Sequence, residues 1–152
     1  MFLLLRYEYI SMTAMKILIG IDDTDNCWSK GTGHRARQLG LGLMNKGLAD
    51  LICISRHQLL VDKRIPFTSH NSSACLFVEA KADKKEIIAF CRKYLKRAAA
   101  FFSDVGLCVA EYDAINEPVQ KWGDDAKQII LTKEMAHTLA KNEGIYLDTV
   151  SL

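Results

Sequence analysis

Apolar positions recur along the chain with two different periods, and together they predict four strands and two helices. Runs rich in branched apolar residues predict strands over 16–21, 49–60, 73–82 and 105–112. The first run, KILIGI, is continuous enough to predict a strand that is buried on both faces. A helical period predicts one helix over 34–48, weakened by Gly40 and Gly42, and a clearer one over 83–102 that Asp83 caps.

The order of these elements is strand, helix, strand, strand, helix, strand. This order predicts an α+β, ferredoxin-like βαββαβ core over residues 15–113, with two helices on one face of an antiparallel sheet. Residues 114–152 have a different pattern, with helices predicted from Pro118 and before Gly144. We therefore expect a helical extension of the same domain after the core.

The first 14 residues leave two interpretations open. They are either a leader that results from a misassigned start, with translation beginning at Met12 or Met15, or they form a short extra strand. The apolar run FLLL is too short for a signal peptide or a membrane span, which needs about 20 apolar residues. We expect no membrane association.

Composition narrows the class of protein without identifying a function. The chain has 152 residues, of which 49% are hydrophobic and 25% charged, with a formal net charge of +2. That charge is too small to predict nucleic-acid binding by bulk electrostatics. The five cysteines form no CxxC pair, which argues against a zinc knuckle and fits buried free thiols in a reducing cytoplasm. The sequence leaves a homodimer open.

Three aspartates follow the first predicted strand, at Asp22, Asp23 and Asp25. Carboxylates this close repel one another unless a positive charge compensates them, and Mg²⁺ accepts one or two carboxylates together with substrate phosphates. The other reading is ordinary turn chemistry, in which Thr24 or Asp25 caps a turn. From the residues alone both readings stay open.

The segment SKGTGHRAR comes next and carries the features of a phosphate-binding helix start. Its glycines let a ligand approach the backbone, and a helix N-terminus favours anions. Arg35 and Arg37 oppose the helix dipole, a conflict expected at a functional site. The alternative is a flexible turn. The residues expected to meet phosphate are Gly31, Thr32, Gly33, His34 and Arg35, and Thr24 is expected to join them in binding the cofactor.

The stretch IGIDDTDN, with GTG shortly after it, resembles the opening of the archaeal tRNA(Ile) agmatidine synthetases, which use ATP to attach agmatine to a wobble cytidine. The resemblance implies a kinase-like domain in which Asp22, Asp23 and Asp25 hold Mg²⁺ near the ATP phosphates. A looser match, ending in N-x-x-A, nominates Asn71 and spans the chain to about residue 113. The family's basic loop residues, later glycine-rich segment and cysteine-rich zinc ribbon have no counterpart here, so we expect a stand-alone relative of the first domain.

These observations predict a magnesium-dependent, ATP-binding protein, with phosphoryl transfer linked to tRNA modification and the three aspartates as catalytic and metal-binding residues. The alternative is a non-catalytic binding or assembly module that retains the scaffold. A tRNA-interacting accessory domain is a third hypothesis.

Several other side chains have simpler interpretations. Arg56 and His57 end the second strand, and we expect them to lie away from the carboxyl end of the first. Trp28 is expected to pack at the edge of the core. Solvation explains the basic face of the second helix, which carries Arg92, Lys93, Lys96 and Arg97.

Overall fold

One antiparallel sheet runs through the residues that the computed structural model describes, which are 14–22, 31–65, 71–98 and 105–150. The strands in this part of the chain are β1 (Lys16–Asp22), β2 (Ala49–Gln58), β3 (Ser72–Ala80), β4 (Val105–Glu111) and β5 (Tyr146–Val150). The α-helices are α1 (Thr32–Asn45), α2 (Lys84–Ala98), α3 (Glu117–Asp125) and α4 (Lys133–Asn142). None of these helices is long and apolar enough to cross a membrane.

The strand order β2-β3-β1-β4-β5, with every neighbouring pair antiparallel, confirms the predicted ferredoxin-like core. The first four strands and the two helices between them give the βαββαβ topology, and β5 is added beside β4. The strand β1 lies in the interior of the sheet, between β3 and β4.

The core forms between α1, α2 and one face of the sheet. Ile17, Ile19 and Ile21 alternate along β1 and are at most 1% exposed. The opposite face of the strand, at Leu18 and Gly20, is half-buried. The prediction of burial on both faces was therefore only half right, because β1 obeys the period-2 alternation of a sheet with two unlike faces.

Two glycines that weaken the propensity of α1 allow the helix to pack closely. A Cβ added to Gly40 would lie 2.8 Å from Cδ2 of Leu51, and one added to Gly42 would lie 3.0 Å from Cζ of Phe90 on α2. Helix α1 thus approaches both the sheet and α2 at points where any side chain would be crowded. Tertiary packing offsets the poor helix propensity of these positions.

The C-terminal extension contains the predicted helices and also an unpredicted strand. The side chain of Asn116 accepts a hydrogen bond from the Val119 amide at the start of α3, and Thr132 caps α4 in the same way. The chain then turns at Gly144, with φ +66°, and β5 pairs with β4. Val150 is 1% exposed, so the extension adds to the core.

Polar contacts join the extension to the rest of the fold. Asp148 of β5 forms an ion pair with Arg92 of α2 at 3.1 Å. The Leu60 amide donates a hydrogen bond to the Ala126 carbonyl at 3.0 Å. The residues just after α3 therefore contact the residues just after β2, before the chain returns to form β5 beside β4.

The described cysteines differ in their exposure, and burial raises the pKa of three of the thiols. It raises the pKa of Cys75 and Cys108 to about 11 and that of Cys91 to about 12. Cys53 is exposed on β2, so the expectation that every thiol in an apolar run is buried was wrong there. Cys75 lies opposite Gly20, two residues before Asp22 on β1. Because its pKa is raised, Cys75 is not an activated nucleophile.

The close packing of α1 predicts opposite effects for two alanine substitutions. Gly40→Ala should lower the free energy of unfolding, because overpacking costs about 1–3 kcal/mol and exceeds the gain of about 1 kcal/mol in helix propensity. Gly123 on α3 has no atom within 4 Å of an added Cβ, so Gly123→Ala should stabilise by about 0.5–1 kcal/mol. Urea unfolding of both variants measures this, and equal effects would contradict the packing described.

Thiol accessibility predicts a single fast reaction with a disulfide reagent at pH 8 in a Cys27→Ser background. A thiol with a pKa of about 11 has roughly one thiolate in a thousand at that pH, and burial slows it further. One equivalent of thiol should react at once, and Cys53→Ser should remove it. Two or more fast thiols in the folded protein would show that this face of the sheet is open.

Candidate functional site

The candidate site lies at the edge of the sheet where β1 ends. Asp22 is the last residue of β1 and pairs with Gly106 near the start of β4. Because Ile21 faces the helices, Asp22 points to the opposite face of the sheet. Its pairing partner on β4 is a glycine, so no side chain at that position crowds the carboxylate.

The same edge also carries the end of β2, contrary to expectation. Both β1 and β2 pair antiparallel with β3, so they run parallel to each other and end together. Ile21 pairs with Ala74, and His57 pairs with Ser73, which places His57 two strands from Asp22 on the same face. The expectation that His57 lies away from this edge was wrong, because it overlooked the antiparallel strand that separates the two.

His57 and Arg56 are held by neighbouring hydroxyls. Nε2 of His57 lies 2.8 Å from Oγ of Ser55, and Nε of Arg56 donates to Oγ of Ser72 at 2.9 Å. The two side chains lie on opposite faces of β2, as alternation requires. His57 therefore shares a face with Asp22, whereas Arg56 does not.

The predicted metal ligands fall partly outside the described residues. Asp23, Thr24 and Asp25 lie there, as does Trp28. Within the described ranges, no group of three His, Cys, Asp or Glu side chains could hold a metal ion. Asp22 supplies a carboxylate of the kind that Mg²⁺ accepts, at the predicted end of the strand.

The start of α1 follows the aspartate segment. Gly31 precedes the helix in an extended conformation and gives no side-chain cap, and the first turn contains no acidic residue. The His34 amide donates to the Gly31 carbonyl at 2.9 Å. Among the described residues, an added Cβ on Gly33 would meet Nη1 of Arg37, at 3.9 Å, and nothing closer.

Arg35 extends from this turn toward α2. Its guanidinium donates a hydrogen bond to the Tyr94 hydroxyl, while its Nε is buried and has no hydrogen-bond partner in the described structure. Burial raises the pKa of Tyr94, and the nearby charge of Arg35 opposes that effect. One donor of the Arg35 side chain therefore has no hydrogen-bond partner among the described residues. A buried, unpaired donor of this kind is expected in a residue that binds an anion.

Asn71 closes the loop between β2 and β3. Its side-chain amide donates to the Leu60 carbonyl at 2.6 Å, and its own carbonyl accepts from the Leu59 amide at 2.8 Å and from Nε2 of Gln58 at 2.7 Å. These contacts explain the residue through the structure of the loop. Its role in cofactor binding stays a prediction.

The sequence analysis missed a cleft of about 670 Å³ between α1 and α2. His34 and Arg35 line it together with Lys93, Tyr94 and Arg97 from α2. The signal was available, because basic residues one helical turn apart project from the same side of a helix. Their convergence with α1 required the tertiary structure.

Comparisons with known proteins give structural neighbours and no sequence family. No family model matches the chain, and no curated protein matches it. The crystal structure of TiaS with its isoleucine tRNA and ATP superposes with a TM-score of 0.77 at 19% identity, covering 90% of this chain and 33% of that one. Apo TiaS, a tRNA agmatidine synthetase, gives a TM-score of 0.76 at 18% identity, covering 91% and 32%.

A tRNA fluorescent labeling enzyme is similar to the same extent, with a TM-score of 0.77 at 19% identity over 90% of this chain. This chain spans about a third of the length of each of these neighbours. At this identity the likeness is one of fold. The residues from β1 to β5 therefore have the fold of a region found in TiaS.

Proposed function

We propose that this protein binds ATP in a magnesium-dependent manner at the edge of the sheet where β1 ends. The observation that carries the proposal is the placement of Asp22 at the end of a buried strand, with the start of α1, where Gly31 offers no capping side chain, soon after it in the chain. Ligands commonly bind beyond the carboxyl ends of strands in α/β folds. The proposal includes Asp23 and Asp25 as further ligands.

The acidic and basic residues of the proposed site have different roles in binding ATP. Asp22, Asp23 and Asp25 offer oxygen ligands, and bound Mg²⁺ would neutralise charge on the ATP phosphates. The backbone of Gly31, Thr32 and Gly33 meets phosphate at the helix start, where the dipole favours an anion. His34 and Arg35 add positive charge on the other side, and positioning of the phosphates would be their contribution to phosphoryl transfer.

The link to tRNA modification is supported by the fold. TiaS has been solved with an isoleucine tRNA and ATP, and also with that tRNA, an ATP analogue and agmatine. We infer that this chain also acts on, or together with, a tRNA, with ATP as its nucleotide.

A non-catalytic binding module is the second candidate function. It is favoured by Asn71, whose side-chain amide is engaged within its own loop. A scaffold that retains its loops through internal contacts can persist without turnover. ATP binding without any ATP-dependent change in tRNA would support this candidate over the first.

Removal of a proposed metal ligand should weaken ATP binding without unfolding the protein. Asp22→Asn and Asp23→Asn should each reduce ATP affinity at least tenfold in the presence of Mg²⁺, because a neutral amide is a poor ligand for this ion. Isothermal calorimetry with and without Mg²⁺ measures the effect. Asp113→Asn, at an exposed position at the far edge of the sheet, is the matched control and should bind as the wild type does. ATP affinity that is indifferent to Mg²⁺ and to both substitutions would refute the proposal.

The substitution Gly33→Ala distinguishes a helix start that binds phosphate from a simple turn that binds no ligand. Gly33→Ala should stabilise the fold by about 0.5–1 kcal/mol, since among the described residues its Cβ makes only an ordinary contact with Arg37, yet should weaken ATP binding about tenfold by blocking approach to the backbone. Gly123→Ala serves as the control, with a similar gain in stability and unchanged ATP affinity. Unchanged ATP affinity in Gly33→Ala would favour the turn.

A further inference from the structure

The cleft between α1 and α2 is lined by positive charge from both helices. Arg35 and Lys46 belong to α1 and its C-terminal end, and Lys93 and Arg97 to α2. No carboxylate lines the cleft in the described part of the chain. A cleft with this composition is electrostatically matched to an anion and mismatched to a cation or an apolar partner.

Within the described residues, three of these charges have no ion-pair partner. The described residues give Lys46, Lys93 and Arg97 no ion pair with a carboxylate, whereas Lys84 and Arg92 on the same helix are paired with Glu111 and Asp148. The buried Nε of Arg35 is also without a hydrogen-bond partner in the described structure. This second observation supports a ligand-binding role for the cleft.

The positive surface extends beyond the cleft. A neighbouring depression of about 470 Å³ on α2 shares Lys93 and Arg97 and adds Arg92 and Lys96. Lys93 and Arg97 are one helical turn apart, about 6 Å along the axis. Arg92 is paired with Asp148, so the repeating cations are Lys93, Lys96 and Arg97. They match a ligand with repeating negative charge better than a single phosphate group.

The cleft also lies close to the candidate nucleotide site. Helix α1 begins soon after β1 ends, and its first-turn residues His34 and Arg35 line the cleft opposite Arg97 from the last turn of α2. A chain of phosphates in the cleft would thus pass the start of α1. The two surfaces share the first-turn residues His34 and Arg35, and the rest of their residues are separate.

We propose that the cleft between α1 and α2 binds the phosphodiester backbone of RNA and directs the RNA toward the edge where β1 ends. The choice of RNA over another polyanion rests on the proposed function, while the cleft and its charge stand independently of it. Contacts to phosphate give affinity without reading sequence, so binding through this surface depends on salt and on shape.

Charge reversal within the cleft tests this proposal. Lys93→Glu/Arg97→Glu should weaken binding of a fluorescently labelled tRNA transcript at least tenfold in fluorescence anisotropy. The slope of log affinity against log salt concentration should become shallower by about 1–2, because two phosphate contacts are lost. The matched control is Lys85→Glu/Lys141→Glu, which reverses the same number of charges at exposed positions outside the cleft and should stay within twofold of the wild type.

Three results would overturn the proposal that the cleft binds RNA. They are equal losses of affinity in both double variants, no loss in either, or binding of poly-L-glutamate as tight as that of tRNA at the same salt concentration. Lys93→Gln/Arg97→Gln, checked by urea unfolding, replaces the glutamate variant if that variant does not fold.

The same variants separate this proposal from the proposed function. Lys93→Glu/Arg97→Glu should retain magnesium-dependent ATP binding, and Asp22→Asn should retain tRNA binding. Absence of ATP binding in the wild type with intact, cleft-dependent tRNA binding would refute the nucleotide site and support the RNA surface. The reverse pattern would refute the RNA surface alone.

Discussion

The antiparallel pairing of β3 between β1 and β2 is the constraint on which the rest of the site depends. It makes β1 and β2 run parallel, so that both end at one edge of the sheet. Asp22 and His57 therefore share an edge and a face although they are far apart in sequence. The buried alternation of Ile17, Ile19 and Ile21 fixes that register, since a slip by one residue would turn Asp22 into the core.

Opposite charges are arranged on opposite sides of this edge. Asp22 points away from the helices, whereas Arg35 and Arg97 line the cleft between them. The proposed nucleotide and its metal would meet the side of Asp22, and the proposed RNA would meet the basic side. The start of α1 belongs to both proposed surfaces, because its dipole favours an anion on either side.

The strong local patterns of the sequence predicted most of the fold. KILIGI and the stripe of α2 have periods that admit one interpretation each, and the structure contains both elements. Strand β5 was missed because it is five residues long and places Asp148 on the side that faces α2, where the ion pair with Arg92 offsets the cost of placing a charge there. Such compensation depends on a partner that is distant in sequence.

The candidate site was likewise predictable only in its local parts, the aspartates and the GTG segment. The cleft could not be predicted, because it joins α1 to α2 and the period of a single helix carries no information on that pairing. The prediction that Lys93 and Arg97 form a solvated face considered α2 alone. It did not include the cleft that these residues line together with α1.

The central claim is that the negative charge after β1 holds a divalent ion against the phosphates of a nucleotide. A crystal structure with Mn²⁺ and a non-hydrolysable ATP analogue tests it most directly, through the anomalous signal of the metal. The account predicts a metal peak within about 2.5 Å of a carboxylate oxygen of Asp22, Asp23 or Asp25, with phosphate oxygens as further ligands. A metal–nucleotide complex bound elsewhere, with these carboxylates engaged only by backbone amides, would contradict it.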